Sequence, residues 1–219
     1  MRNRRALPDG TSIRHQASRL ARVDLDAVEV RVLGCLLEKQ RTTPDAYPLS
    51  LNALRLACNQ STSRDPVVEY DEPTIRKALD GLSRLGWTRL ASGAGSRAAK
   101  YRQLFDEAIG VDASEVAVLA VLMLRGPQTL GELKQRTERT HYFASLDDIA
   151  KTLDGLAERE LAMRQPRRPG ERDDRYVHLL GSSEEDAPAE VEPAVESLEQ
   201  RVARLEDLVA DLQRRLPSA

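Results

Sequence analysis

A run of basic residues without any acid lies between Asp80 and Asp106. Its cationic side chains are Arg84, Arg89, Arg97, Lys100 and Arg102. Guanidinium and ammonium groups at this density can contact phosphates, which set the affinity and register of nucleic-acid binding. The alternative is a solvated surface segment whose charges are met by acids elsewhere in the fold.

Basic residues of the same kind occur at two further places. Arg76 and Lys77 begin a helical pattern, and Arg64 lies in the segment that joins two predicted helices. The candidate DNA contacts are therefore Arg64, Arg76, Lys77, Arg84, Arg89, Arg97, Lys100 and Arg102. Arg76 can equally pair with Asp80 one helical turn away. The segment around Arg64 can equally pack on its own domain through its two valines.

Residues suited to catalysis or metal binding do not form a recognisable pattern. The three histidines, His15, His141 and His178, are scattered without metal-ligand spacing, and no nucleophile motif such as GxSxG occurs. Cys35 and Cys58 lie in apolar helical patterns, which favours buried free thiols over a disulfide or a metal site. We therefore expect a protein that is not an enzyme and that has no cofactor or metal.

An internal repeat supplies the elements that position the basic residues. Four pairs of matches keep one order along the chain. They are DAVEVRVL from Asp26 with DASEVAVL from Asp112, PLSLNALR from Pro48 with PQTLGELK from Pro127, IRKALDGL from Ile75 with IAKTLDGL from Ile149, and Tyr101 with Tyr176. The sequence therefore predicts two related domains, at 24–108 and 109–181.

Each copy follows the same plan of helices and a hairpin. The predicted first helices are 24–39 and 112–125, and the second helices are about 49–59 and 129–138, both from apolar residues at helical spacing. Asp26 and Asp112 are N-cap candidates for the first helices, each followed three residues later by Glu in a capping-box pattern. Asp71 and Ser145 are N-cap candidates for the third helices, which contain the octamers. Short strand patterns around glycine-containing turns follow from Trp87 and from Leu161. We predict a mainly α fold with small β-hairpins (α+β), built as two tandem winged-helix domains. In that plan the third helix can enter the DNA major groove.

The sequence resembles the YceH-like family of bacterial proteins of unknown function. The matching segments are YPLSLNALRLACNQ from Tyr47, RDPV from Arg64, YDEPTIRKALDGLSRLG from Tyr70 and RAAKYR from Arg97. The resemblance covers roughly residues 25–180 and implies tandem winged helices. It implies no established activity and no catalytic residues.

The two ends of the chain carry opposite charge. Residues 1–24 hold six Arg and two Asp, whereas residues 181–219 hold four Arg and ten acids. We expect 1–23 to be a disordered basic arm that adds non-specific DNA affinity. Two alternatives remain for these residues. A mis-assigned start codon could have added them to the sequence, or they could be disordered without binding DNA. The acidic, Pro- and Ala-rich composition of 182–194 is typical of a linker.

A heptad pattern follows the linker and predicts a coiled-coil helix at 195–217. Its apolar positions are Val195, Leu198, Val202, Leu205, Val209, Leu212 and Leu216. Val at most a positions and Leu at the d positions favour a parallel two-stranded coiled coil. We therefore expect a homodimer; the alternative is a helix that folds back on its own chain.

Two functions remain open at this point. The first is DNA binding in a regulatory role, through the third helix and basic hairpin of the first copy. The second is a protein-protein interaction scaffold, with an unknown protein partner, that has lost DNA contact. We expect a cytoplasmic protein without membrane contact, because no apolar run approaches the roughly 20 residues of a membrane span.

Overall fold

The computed structural model describes residues 24–91, 99–167, 170 and 172–181. The predicted basic arm 1–23, linker 182–194 and coiled-coil helix 195–217 lie outside the described residues. Arg97 and the seven heptad positions lie outside them as well: Val195, Leu198, Val202, Leu205, Val209, Leu212 and Leu216.

The described chain is a mixed α/β structure in which helices dominate and the sheets are small and antiparallel. The first repeat contains α1 (Ala27–Thr42), β1 (Leu49–Ser50), α2 (Leu51–Cys58), α3 (Glu72–Arg84), β2 (Thr88–Leu90) and β3 (Lys100–Gln103). After the short α4 (Phe105–Ile109), the second repeat contains α5 (Ala113–Arg125), α6 (Leu130–Thr137), α7 (Leu146–Glu158), β4 (Ala162–Gln165) and β5 (Arg175–His178). None of these helices has the length and apolar character needed to cross a bilayer.

Capping boxes start the first helix of each repeat, as the sequence predicts. The Asp26 carboxylate accepts a hydrogen bond from the Glu29 amide at 2.8 Å, and the Glu29 carboxylate accepts one from the Asp26 amide at 3.1 Å. Asp112 and Glu115 form the same reciprocal pair before α5. Each box satisfies amides that have no partner within the helix, so both helices begin at a defined residue.

The repeated octamers lie in the third helices, α3 and α7. Asp71 caps α3 by accepting the Thr74 amide at 2.9 Å. Ser145 forms a capping box with Asp148 at the start of α7. The matched apolar residues of the two octamers are all buried: Ile75, Leu79 and Leu82 in α3, and Ile149, Leu153 and Leu156 in α7. The apolar letters that the octamers share therefore serve the core, whereas the shared Lys and Asp are exposed.

The same strand pairing recurs in both repeats. In the first repeat the sheet order is β1-β3-β2, and Leu49 of β1 pairs with Tyr101 of β3. In the second repeat β4 pairs with β5, and an isolated bridge joins Gln128 to Tyr176. Gln128 and Tyr176 are the residues that correspond to Leu49 and Tyr101 in the sequence repeat. The duplication therefore extends to the tertiary pairing of the strands.

The two repeats share one hydrophobic core. Their buried apolar residues form a single cluster, and the described residues belong to one compact unit. Residues 116–124 of α5 are buried without interruption, because α1 covers a face that a lone repeat would expose to water. Backbone contacts also cross between the repeats: the Leu25 amide donates to the Leu180 carbonyl at 3.0 Å, and the Asp65 amide donates to the Leu124 carbonyl at 2.9 Å.

Gly34 lies at a close approach between α1 and α5. A Cβ at Gly34 would lie 3.0 Å from side-chain atoms of Leu124 and of Met123. Since this distance is shorter than an ordinary carbon-carbon contact, a larger residue would force the two helices apart. A glycine at the centre of a helix is otherwise unfavourable, so its position here is explained by packing.

We predict that Gly34→Ala lowers the free energy of unfolding by about 1–3 kcal/mol, because the gain in helix propensity is smaller than the cost of overpacking. The control is Gly131→Ala in α6, where an added Cβ would meet no atom within 4 Å. That change should raise the free energy of unfolding by up to about 1 kcal/mol. Urea unfolding measures both values, and a Gly34→Ala protein as stable as the control would contradict the packing argument.

Candidate nucleic-acid interface

The exposed face of α3 carries three basic side chains. Arg76, Lys77 and Arg84 are exposed, while the opposite face of the helix is buried in the core. Lys77 and Arg84 lie two turns apart and therefore share one side of the helix. The ion pair between Arg76 and Asp80 that the spacing allows is not formed among the described residues. All three side chains are exposed, and the charges of Arg84 and Lys77 offset part of the rise in the pKa of Glu29 that burial causes.

Two arginines face each other across the hairpin of the first repeat. Arg89 of β2 is the cross-strand partner of Arg102 of β3, so both side chains lie on one face of the sheet. Arg102 donates to the Glu107 carboxylate at 3.1 Å, whereas Arg89 is exposed and pairs with no acid within the described ranges. Lys100 lies opposite Ser50 of β1 and is partly buried. The hairpin thus presents Arg89 as its most accessible described cation.

The prediction that Arg64 contacts DNA is wrong, because its side chain is buried. The guanidinium donates to both carboxylate oxygens of Glu38, at 2.6 and 3.2 Å, and to the Ala57 carbonyl at 3.0 Å. It also donates to the Ser63 carbonyl and to the Gln60 side chain. Arg64 therefore fastens the segment after α2 to the end of α1, and no phosphate can reach it.

Glu38 is a structural residue that the sequence pattern did not single out. Burial alone would raise the pKa of Glu38, but the hydrogen bond and charge of Arg64 outweigh burial and hold the pKa below its ordinary value. The two residues are 26 positions apart, and no local spacing rule connects a helix-end glutamate to a loop arginine at that separation.

The third helix of the second repeat carries the opposite charge. Among the exposed residues of α3, three are basic and two are acidic, a net charge of +1. In α7 only one exposed residue, Lys151, is basic, whereas three are acidic (Asp147, Asp154 and Glu158), a net charge of −2. The aligned positions Arg76 and Ala150, and Arg84 and Glu158, account for this difference. Phosphates would be attracted to the first helix and repelled by the second.

The two cysteines are buried free thiols, as predicted. Over the ranges that the structure describes, no group of three or more His, Cys, Asp or Glu side chains is placed to hold a metal ion.

We predict that Arg64→Met lowers the free energy of unfolding at pH 7 by about 3 kcal/mol or more, because it leaves the Glu38 carboxylate partly buried without its partner. The penalty should shrink as the pH falls below the ordinary carboxyl pKa of 4.5, since Glu38 then takes up a proton and loses its charge. Urea unfolding at pH 7 and about pH 3.5 measures both effects.

Arg102→Met provides the matched control for an exposed pair. Because Arg102 and Glu107 are both accessible to water, this substitution should lower the free energy of unfolding by less than about 1 kcal/mol. If Arg64→Met and Arg102→Met lowered the free energy of unfolding equally, burial of the Arg64 ion pair would not increase its contribution to stability.

Comparison with known proteins identifies the family. Residues 25–171 match the family described as protein of unknown function, DUF480. The chain is 45% identical over 203 residues to a UPF0502 protein of Serratia proteamaculans (strain 568). The alignment covers 88% of this chain and 94% of that relative. It is 48% identical over 189 residues to a UPF0502 protein of Opitutus terrae. That alignment covers 85% of this chain and 82% of the relative. The chain therefore belongs to the DUF480 family of uncharacterised bacterial proteins, in agreement with the resemblance seen in its sequence.

Proposed function

We propose that this protein is a DNA-binding regulatory protein built from two tandem winged-helix domains, residues 24–108 and 109–181. Three helices followed by an antiparallel hairpin in each repeat support this architecture. In this arrangement α3 enters the major groove and the hairpin of the first repeat contacts the phosphate backbone.

The observation that carries the proposal is a set of four exposed cations in one repeat. Arg76, Lys77, Arg84 and Arg89 are exposed, and none forms an ion pair with a residue in the described part of the chain. Six arginines are engaged by carboxylates: Arg64, Arg102, Arg136, Arg159, Arg164 and Arg175. The second repeat also has exposed cations that form no ion pair with a described residue, such as Arg139 and Lys151, but the exposed face of its third helix is acidic. Exposed cations without a carboxylate at ion-pair distance are available to phosphates, whose contacts provide most of the non-specific affinity for DNA.

The two repeats take different roles in this proposal. The first repeat holds the DNA through α3 and its hairpin, to which Lys100, Arg102 and Arg97 add positive charge. The second repeat is structural or binds a partner, because the exposed face of α7 is acidic. The coiled-coil helix at 195–217 joins two chains into a homodimer, which presents two copies of the basic surface to a two-fold DNA site. The protein acts in the cytoplasm by binding rather than by catalysis.

A protein-interaction scaffold is the second candidate, and exposed apolar side chains favour it. Leu56 of α2 is 56% exposed and Leu90 of β2 is 60% exposed. Both lie in the repeat that carries the basic residues. A contiguous apolar patch at a surface marks a contact with a partner protein. In this alternative Leu56 and Leu90 belong to such a patch, and the cations surround it and do not bind phosphate.

Titration of the protein with a mixed-sequence DNA duplex, followed by fluorescence anisotropy, separates the two candidates. With four phosphate contacts, the affinity should fall roughly 100-fold between about 50 mM and 200 mM salt. The variant Arg76→Ala with Arg84→Glu gives α3 the residues that α7 carries at these two positions. It should weaken binding tenfold or more, because two attractive contacts are lost and one becomes repulsive.

The two lysines of the octamers provide a matched control. Lys77→Gln should weaken binding and lower the salt slope by about one, whereas Lys151→Gln at the corresponding position of α7 should change neither. No detectable binding at low salt would exclude the DNA hypothesis and leave the scaffold. Equal effects of the two lysine substitutions would exclude α3 as the contact surface.

A further inference from the structure

A cavity of about 550 Å³ lies at the junction of the two repeats. The end of α1 and the segment after α2 form one side, through Glu38, Thr42 and Ser63. Helices α5 and α6 and the turn that follows α6 form the other side. Cavities of 300–1,000 Å³ are typical of small-molecule sites. The cavity is separate from the exposed face of α3.

The lining of the cavity combines an apolar floor with a basic wall. Val121, Leu124 and two alanines of α5 form the floor. The wall carries three arginines, Arg125, Arg136 and Arg139. An apolar floor beside a few convergent polar groups is the usual composition of a site for a small organic molecule.

Arg125 is the central cation of this wall. It is half-buried at the end of α5, and its guanidinium makes no hydrogen bond or ion pair with any residue in the described ranges. Burial and the neighbouring charges of Arg136 and Arg64 lower the pKa of Arg125, and they outweigh Glu38 and Asp65, which act in the opposite direction. Burial is the larger cause of the lowered pKa, and the guanidinium lies near two other arginines with its donors available.

The acids of the cavity make no ion pair with Arg125 among the described residues. Glu38 is engaged through both oxygens by Arg64 and also contacts Lys39. Arg136 contacts Glu132 at 3.4 Å, but Glu132 also accepts hydrogen bonds from the Thr129 amide and from Arg175. Glu138 is exposed at the rim. The carboxylate nearest to Arg136 is thus shared among several donors, and Arg136 retains hydrogen-bonding capacity for a ligand.

We infer that this cavity binds a small organic anion, whose carboxylate or phosphate group contacts Arg125 and Arg136 while its apolar part lies against α5. A guanidinium presents donors in a planar fork that matches either anionic group. The ligand contacts both repeats, because the cavity is lined by α1 on one side and by α5 and α6 on the other. This site is independent of the proposed DNA surface.

Isothermal titration of the full chain with four probes tests the inference: benzoate, phenyl phosphate, inorganic phosphate and neutral benzamide. At least one of the two phenyl anions should bind saturably and more tightly than inorganic phosphate, since only the phenyl anions reach the apolar floor. Benzamide, which has the ring without the charge, should not bind measurably. The phenyl anion that binds identifies the anionic group that the site prefers.

Three variants link the binding to the cavity. Arg125→Gln and Arg136→Gln should each weaken the anion about tenfold or more, because each removes a charged hydrogen-bond donor. Arg167→Gln, an exposed arginine outside the cavity, should leave the affinity unchanged. Thermal unfolding confirms that each variant is folded before titration. Absence of saturable binding by both phenyl anions, equal binding of benzamide, or unchanged affinity in Arg125→Gln would overturn the inference.

Discussion

The packing of α1 against α5 is the contact on which the rest of this structure depends. These helices are the first helices of the two repeats, and Gly34 lets them approach until a single added carbon would contact Leu124 and Met123. Each repeat contains fewer than about 90 residues, a size at which a domain core is small and stability is marginal. By burying the apolar faces of α1 and α5 against each other, the repeats obtain one larger core in place of two small ones. Each fully buried Leu or Val contributes about 1.5–3 kcal/mol relative to exposure, so this shared burial is a large share of the net stability.

In the third helices the duplication preserves the apolar residues that face this core and changes two of the charged residues on the outer face. Ile75 and Ile149 are both buried, and so are the octamer leucines of the two helices. At the exposed positions Arg76 is matched by Ala150 and Arg84 by Glu158. One scaffold therefore carries a basic surface in the first repeat and an acidic surface in the second. The division of roles that we propose rests on this difference in surface charge and not on any difference in fold.

The sequence predicts the parts of the structure that local chemistry decides. Asp26 and Asp112 cap their helices because a carboxylate followed three residues later by glutamate satisfies free amides wherever a helix begins. The octamers predict the third helices because apolar residues at helical spacing must face a core. The burial of Arg64 could not be predicted, since its partner Glu38 lies 26 residues earlier in the chain. The bridge between Leu25 and Gly181 and the approach of Gly34 to Leu124 likewise join residues that no sequence period relates.

The exposed cations of α3 and the arginine-lined cavity thus belong to one body, in which the two repeats should unfold together. Trp87, the only tryptophan of the chain, is buried in the first repeat against Phe105, so its fluorescence reports on that repeat. Far-ultraviolet circular dichroism reports on the helices of both repeats. Urea unfolding followed by the two signals should give coincident single transitions, because removing either repeat exposes the core of the other. Two separated transitions, with the tryptophan signal following only one of them, would contradict the shared core.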